Sequence, residues 1–60
     1  MKKHKVIKEY KDGYGNIFTE GTILRLEQSI TGFPIYIAKG DIKFLLKNEV
    51  EHDREHFEKI

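Results

Sequence analysis

The stretch His52-Asp53-Arg54-Glu55-His56 sets two histidines four residues apart, the spacing that puts both on one face of a helix where they could chelate a metal. It is one residue from the H-E-x-x-H pattern of metal-assisted hydrolysis, with Asp53 where a Glu would act as base. Aspartate reaches about one methylene less than glutamate, no third ligand stands nearby, and His4 reads as a surface residue. No metal and no cofactor are therefore expected, and the stretch reads as a solvated, charge-rich turn. Nucleophilic chemistry has little material either: cysteine is absent, and Ser29 and the threonines have neither a glycine elbow nor a histidine partner in sequence. The carboxylates between Glu49 and Glu58 read as acidic surface, because raising a carboxyl pKa requires burial that so polar a segment does not offer. Asp12-Gly13-Tyr14-Gly15-Asn16 is a glycine-rich loop, but Ile17-Phe18-Thr19-Glu20-Gly21 follows it without the helical period a phosphate cradle needs. The expectation is a protein that is not an enzyme.

Binding chemistry has more to work with. Lys2, Lys3, Lys5, Lys8 and Lys11 form a basic segment, with Tyr10 and Tyr14 as candidate stacking platforms for nucleic acid. The same lysines would also keep an edge strand from pairing with another chain. Charge is divided between the ends. Residues 1–11 carry five Lys against Glu9, giving +4, while residues 48–60 carry five acids against Arg54 and Lys59, giving −3, within a total of +1. If the two ends lie side by side, the acidic one cancels much of the basic one's field. A protein partner would meet Tyr10, Tyr14 and Tyr36. The Tyr36 ring falls either in a contact patch or under a loop, on the face opposite Ile35 and Ile37.

The elements that must position these residues are strands. From Ile30 to Leu46 the chain is at its most apolar, and Phe33, Ile35, Ile37 and then Ile42, Phe44, Leu46 recur at every second position. Period two places each trio on one face of a strand, so both are expected to face the core, Phe44 included. Ala38-Lys39-Gly40-Asp41 makes the reversal of this hairpin, and Pro34, which cannot donate to a ladder, belongs at a strand start or edge. Lys5 to Lys11 reads as a first strand, and Thr22 to Glu27 as a half-buried one with Leu24 and Leu26 inward and Arg25 and Glu27 outward. Thr31-Gly32 is the turn between that strand and the hairpin. After Leu46, helical and strand spacings compete, and the reading adopted is a strand through about Val50 and a helical turn from Asp53 to Phe57.

Sixty residues make one domain, residues 1–60, burying only about 60% of the surface its unfolded chain exposes. The absence of cysteine points to a reducing, cytoplasmic setting. The basic start lacks the apolar stretch of a signal peptide, and no window is long enough to cross a bilayer as a helix, so neither secretion nor membrane insertion is expected.

With these strands placed, the chain resembles SH3-like small β-barrels of prokaryotic or phage type. Val6-Ile7-Lys8-Glu9-Tyr10 looks like their first strand, Ile17-Phe18-Thr19-Glu20-Gly21 like the end of their long first loop, and His56-Phe57-Glu58-Lys59-Ile60 like their closing helical turn and last strand. The expected fold is thus all-β: a small barrel or bent antiparallel meander of four to five strands with a C-terminal helical turn. The chain lacks Trp, has one Pro, and has no acidic cluster in its first loop, so the resemblance does not extend to a proline-peptide groove. It implies a small module for a protein partner, in the manner of a phage or mobile-element regulator, with nucleic-acid binding as the alternative.

Overall fold

A computed structural model describes residues 2–40 and 43–60. Strands β1 (Lys3–Val6), β2 (Tyr10–Lys11), β3 (Ile17–Phe18), β4 (Ile23–Gln28), β5 (Pro34–Ala38) and β6 (Phe44–Leu46) are followed by helix α1 (Lys47–Glu51) and strand β7 (Phe57–Lys59). Five of them form one antiparallel sheet in the order β6-β5-β4-β1-β7, and β2 and β3 pair as a separate hairpin. This is the bent antiparallel meander with a helical turn.

It is not a closed SH3-type barrel. β6 and β7 are the two outer strands of an open sheet, unpaired with each other, and the small hairpin does not join them. β6 has only three residues and α1 begins at the next one, so the chain leaves the sheet before a ladder can wrap around to β7. The first strand is likewise shorter than expected. It stops at Val6, and the Ile7 N–H is taken by the His56 carbonyl at 2.8 Å, so Tyr10 and Lys11 belong to the hairpin instead. After Leu46 the helix begins directly at Lys47, where a continuing strand was expected. The Leu46 N–H donates to the Glu49 carboxylate at 3.4 Å, and Glu49 is an acid in the first turn, where the helix dipole favours it.

The largest correction concerns the hairpin. β4 is as read, with Leu24 fully buried and Leu26 packed against the core, and Pro34 opens β5. Leu24 pairs with Ala38 and Leu26 with Tyr36, while Arg25 pairs with Ile37 and Glu27 with Ile35. Directly paired residues point to the same side of a sheet. The core is therefore built on Tyr36, Ala38 and Leu45, with Val6, Phe18, Leu24, Val50 and Phe57, and Phe33, Phe44 and Leu46 lie on the other face in solvent. Ile42 and Asp41 lie outside the described residues. Gly40 takes φ 95° and Gly32 φ 90° at the two ends of β5, the left-handed region that lets the chain reverse there.

Candidate interaction surface

The exposed face of β5 and β6 is built by alternation. Ile37 stands opposite Phe44, and Ile35 opposite Leu46, so four apolar side chains share one side of the outermost strand pair. Phe44 is 54% exposed and Leu46 56%. Ile35 at the centre is buried but stands apart from the cluster of side chains on the other face. The turn before β5 extends the face. The Ser29 N–H donates to the Phe33 carbonyl at 2.8 Å, the Gly32 N–H to the Ser29 carbonyl at 2.9 Å, and the Phe33 N–H to Ser29 Oγ at 3.1 Å. Held this way, the turn displays Phe33, 68% exposed, and leaves Ile30 at its tip wholly in solvent. The result is a shallow apolar groove bordered by Gln28, Ser29 and Thr31.

Tyr14 borders the same region. Asp12 Oδ1 accepts from the Tyr14 N–H at 2.9 Å and the Asn16 N–H at 2.8 Å, while Oδ2 accepts from Asn16 Nδ2 at 3.0 Å. This network ties the loop at its base and leaves the Tyr14 ring 95% exposed, beside the clefts that Phe33, Phe44 and Leu46 line. Among the three tyrosines named from the sequence, it alone presents its ring fully to solvent. Tyr36 is fully buried, with its hydroxyl donating to Glu51 Oε2 at 2.7 Å and its ring meeting His4 edge-on at 4.9 Å. As a core residue it offers a partner no surface. That bond holds the Glu51 carboxyl below its ordinary range. Tyr10 is half-buried: its hydroxyl donates to Glu49 Oε2 at 2.6 Å and its ring lies edge-on to His56 and Phe57, fastening the β2–β3 hairpin to α1 and β7. The bond to Glu49, with burial second, pushes the Tyr10 hydroxyl up to about 12.

The basic segment and the acidic end do lie side by side. Lys2 Nζ is 3.7 Å from Glu51 and Lys8 Nζ 2.9 Å from Glu55. Lys5 pairs with Glu58 across β1 and β7, whereas Lys3 faces Arg25 on β4. His4, expected at the surface, is instead buried on the core side of β1, and its Nδ1 has no hydrogen-bond partner. Burial lowers its pKa, Lys59 and Lys2 lower it further, and Glu51 opposes them.

The two histidines of the H-D-R-E-H stretch are not on a helix. α1 ends at Glu51, and His52 is its C-cap. Asp53 Oδ1 accepts from the Glu55 and His56 N–H groups at 3.1 and 3.2 Å, and its Oδ2 lies 2.8 Å from His56 Nδ1. Asp53 thus closes a turn that feeds β7, and His56 is oriented by it. Among the described residues no three His, Asp or Glu side chains converge as a metal site, and no helix is long and apolar enough to cross a membrane.

The surface residues Phe33, Phe44 and Leu46 were missed because their hydrophobicity read as core, and Ile30 because it fell in the turn. The signal that locates them is the neighbouring strand: Arg25 and Glu27 must face outward, and so must whatever pairs with them. No family model matches this chain, and no curated protein and no solved structure shows significant similarity to it.

Proposed function

We propose that this domain is a non-catalytic protein-interaction module whose contact surface is the outer face of β5 and β6. The observation that carries the reading is the exposure of Phe33, Phe44, Leu46 and Ile30 together on one side of the sheet, outside the core. Small domains scatter single apolar residues over their surfaces, but a contiguous apolar patch with two phenylalanines marks a place where another surface docks. Tyr14, at the edge, is the aromatic best placed to extend the contact. Tyr36 and Tyr10 serve it indirectly, by fixing β5 and the hairpin that carries Tyr14.

The nucleic-acid alternative draws less support. It needs several uncompensated cations on one surface, and Lys2, Lys5 and Lys8 each have an acidic neighbour. The phage or mobile-element setting loses its support with the barrel. The absence of cysteine supports a reducing, cytoplasmic compartment.

A photoreactive phenylalanine analogue at position 33 tests the reading, with the same analogue at Ile7, which lies beyond the end of β1 and outside the apolar groove, as control. Irradiation in host extract should give a discrete protein adduct from position 33 that disappears with Phe44→Glu. Equal labelling from both positions, or none from either, would remove the face as the contact surface.

A further inference from the structure

We infer that the occupant of this face is a second copy of the chain, packed sheet against sheet about a two-fold axis. The inference rests on reading the outer face of β5 and β6 as a contact surface, and it adds the partner's identity and the mode of contact.

Area is the first argument. Taking a whole large side chain as roughly 200 Å², the exposed parts of Ile30, Phe33, Phe44 and Leu46 leave on the order of 500 Å² of apolar surface on this face. Two copies meeting there bury about 1,000 Å² before any polar rim is counted, which reaches the size a specific interface needs. The contribution comes from both sides equally, as a two-fold interface requires.

Charge is the second. Among the described residues the centre of the face holds no ionised group; its border with β4 carries Arg25 and Glu27, whose side chains meet at 3.2 Å, and Lys3 follows on β1. A like copy therefore meets neither a concentration of its own sign nor an unmatched charge demanding an opposite one. A partner chosen by charge would need such a group.

The mode of contact follows from the edge. Ala38 N–H donates to the Lys43 carbonyl, and hydrogen-bonded pairs alternate along an antiparallel ladder. Phe44 and Leu46 consequently turn their backbone groups outward, but the Leu46 N–H is taken by Glu49 and the Tyr14 loop stands beside β6. Strand addition at so short and guarded an edge has little to bond. Face-to-face stacking of the two sheets, with Phe33 and Phe44 interdigitating, uses what is free.

Stability points the same way. A domain this small gains from any added burial, and association through this face covers apolar surface that the core leaves in solvent.

Sedimentation of the purified chain from low to high micromolar concentration, with and without Phe33→Glu or Phe44→Glu, tests the proposal. The unmodified protein should approach twice the 7.1 kDa of one chain, and each variant should weaken association by about tenfold or more while keeping its circular dichroism spectrum. Ile7→Ser should associate as the parent does. A dimer that both Glu variants leave intact would place the interface elsewhere and overturn the proposal. A parent that stays monomeric, yet binds an apolar fluorescent dye that Phe44→Glu no longer binds, would refute the second copy and leave the docking face standing. A monomer that binds no dye would remove both. A monomer that floats with phosphatidylcholine vesicles would replace the second copy with a lipid surface.

Discussion

The two faces of the five-stranded sheet differ in a way hydrophobicity does not predict. The covered face carries His4, Tyr36 and Ala38 beside Val6, Leu24 and Leu45, while the open one, at β5 and β6, carries Ile35, Ile37, Phe44 and Leu46. By side-chain type alone, the second set is the better core. Cross-strand pairing decides against it. Had Ile35 and Ile37 faced inward at this register, Arg25 and Glu27 would have been buried with them, and burying two charged groups costs far more than leaving Phe44 and Leu46, the cross-strand partners of the two isoleucines, half in solvent. Tyr36 can occupy the interior because its hydroxyl reaches Glu51 at the protein's edge, so its polar atom stays bonded. The open face is what remains when a neighbouring strand's charges, not the strand's own hydrophobicity, choose the inside.

Mutations on the two faces should therefore differ sharply, and the largest contrast pairs two aromatics. Tyr36→Ala empties a core site and strips Glu51 of its donor, and should cost about 3–5 kcal/mol, most of the stability of so small a domain. Phe44→Ala, at a position 54% exposed, should change the unfolding free energy of the monomer by about 0.5 kcal/mol or less. Urea titrations of dilute protein measure both. A tighter comparison uses adjacent residues of one type: Leu45 is buried and Leu46 mostly exposed. Leu45→Ala should lose about 2–4 kcal/mol and Leu46→Ala only a few tenths. Equal losses at 45 and 46 would mean that the faces are not as distinct as their burial.

Much of this architecture was legible in the residues. The alternation of Leu24 to Glu27, the turns at Gly32 and Gly40 and the place of Pro34 all follow from local chemistry, and the structure has each of them. Sheet closure and face were not legible, for one reason. Period two tells which residues share a side, but a register shift of one residue exchanges the sides, and that shift is set by the Ser29–Phe33 turn and by pairing with β4. Strand length is similarly non-local: α1 cuts β6 short at Leu46. The apolar outer face was hidden by the same ambiguity, since Phe33, Phe44 and Leu46 are residues the alternation assigned to the core.

A smaller effect should come from the imidazole on the covered face. His4 is buried with Nδ1 unpaired, and burial, aided by Lys59 and Lys2 and opposed by Glu51, lowers its pKa from 6.5. The unfolded chain then binds a proton more readily than the folded one. The stabilisation this provides is complete above about pH 6.5 and is lost as pH falls through the lowered folded value. Glu51 and Glu55, held below 4.5 mainly by their bonds to Tyr36 and Lys8, act only in more acidic solution. The melting temperature should thus begin to fall on acidification before the carboxylates titrate. His4→Leu, which also removes the unpaired nitrogen, should flatten that part of the curve. An identical slope in parent and variant would mean that another group governs it.

The smallest expected effect lies at the charged end of the sheet, where β1 and β7 contrast with the apolar β5 and β6. Lys2 and Lys8 approach Glu51 and Glu55, and Lys5 lies opposite Glu58. Exposed pairs of this kind add little to stability and are screened by salt. They matter more to a polyanion, whose binding releases counterions only where cations are uncompensated. The unmodified protein should therefore bind labelled oligonucleotides weakly at physiological salt, and Glu55→Gln with Glu58→Gln should raise the affinity. Asp53 and Glu51 are left in place, because Asp53 closes the turn into β7 and Glu51 accepts the Tyr36 hydroxyl, so neutralising either would disturb the fold along with the charge. Fluorescence anisotropy across a salt series measures the change. Tight binding by the unmodified chain, lost on replacing Lys3, Lys5 and Lys8 with Ala, would move the site of recognition from the apolar end of the sheet at β5 and β6 to the basic end at β1. An affinity that the two substitutions leave unchanged would show instead that these carboxylates do not shield the lysines beside them.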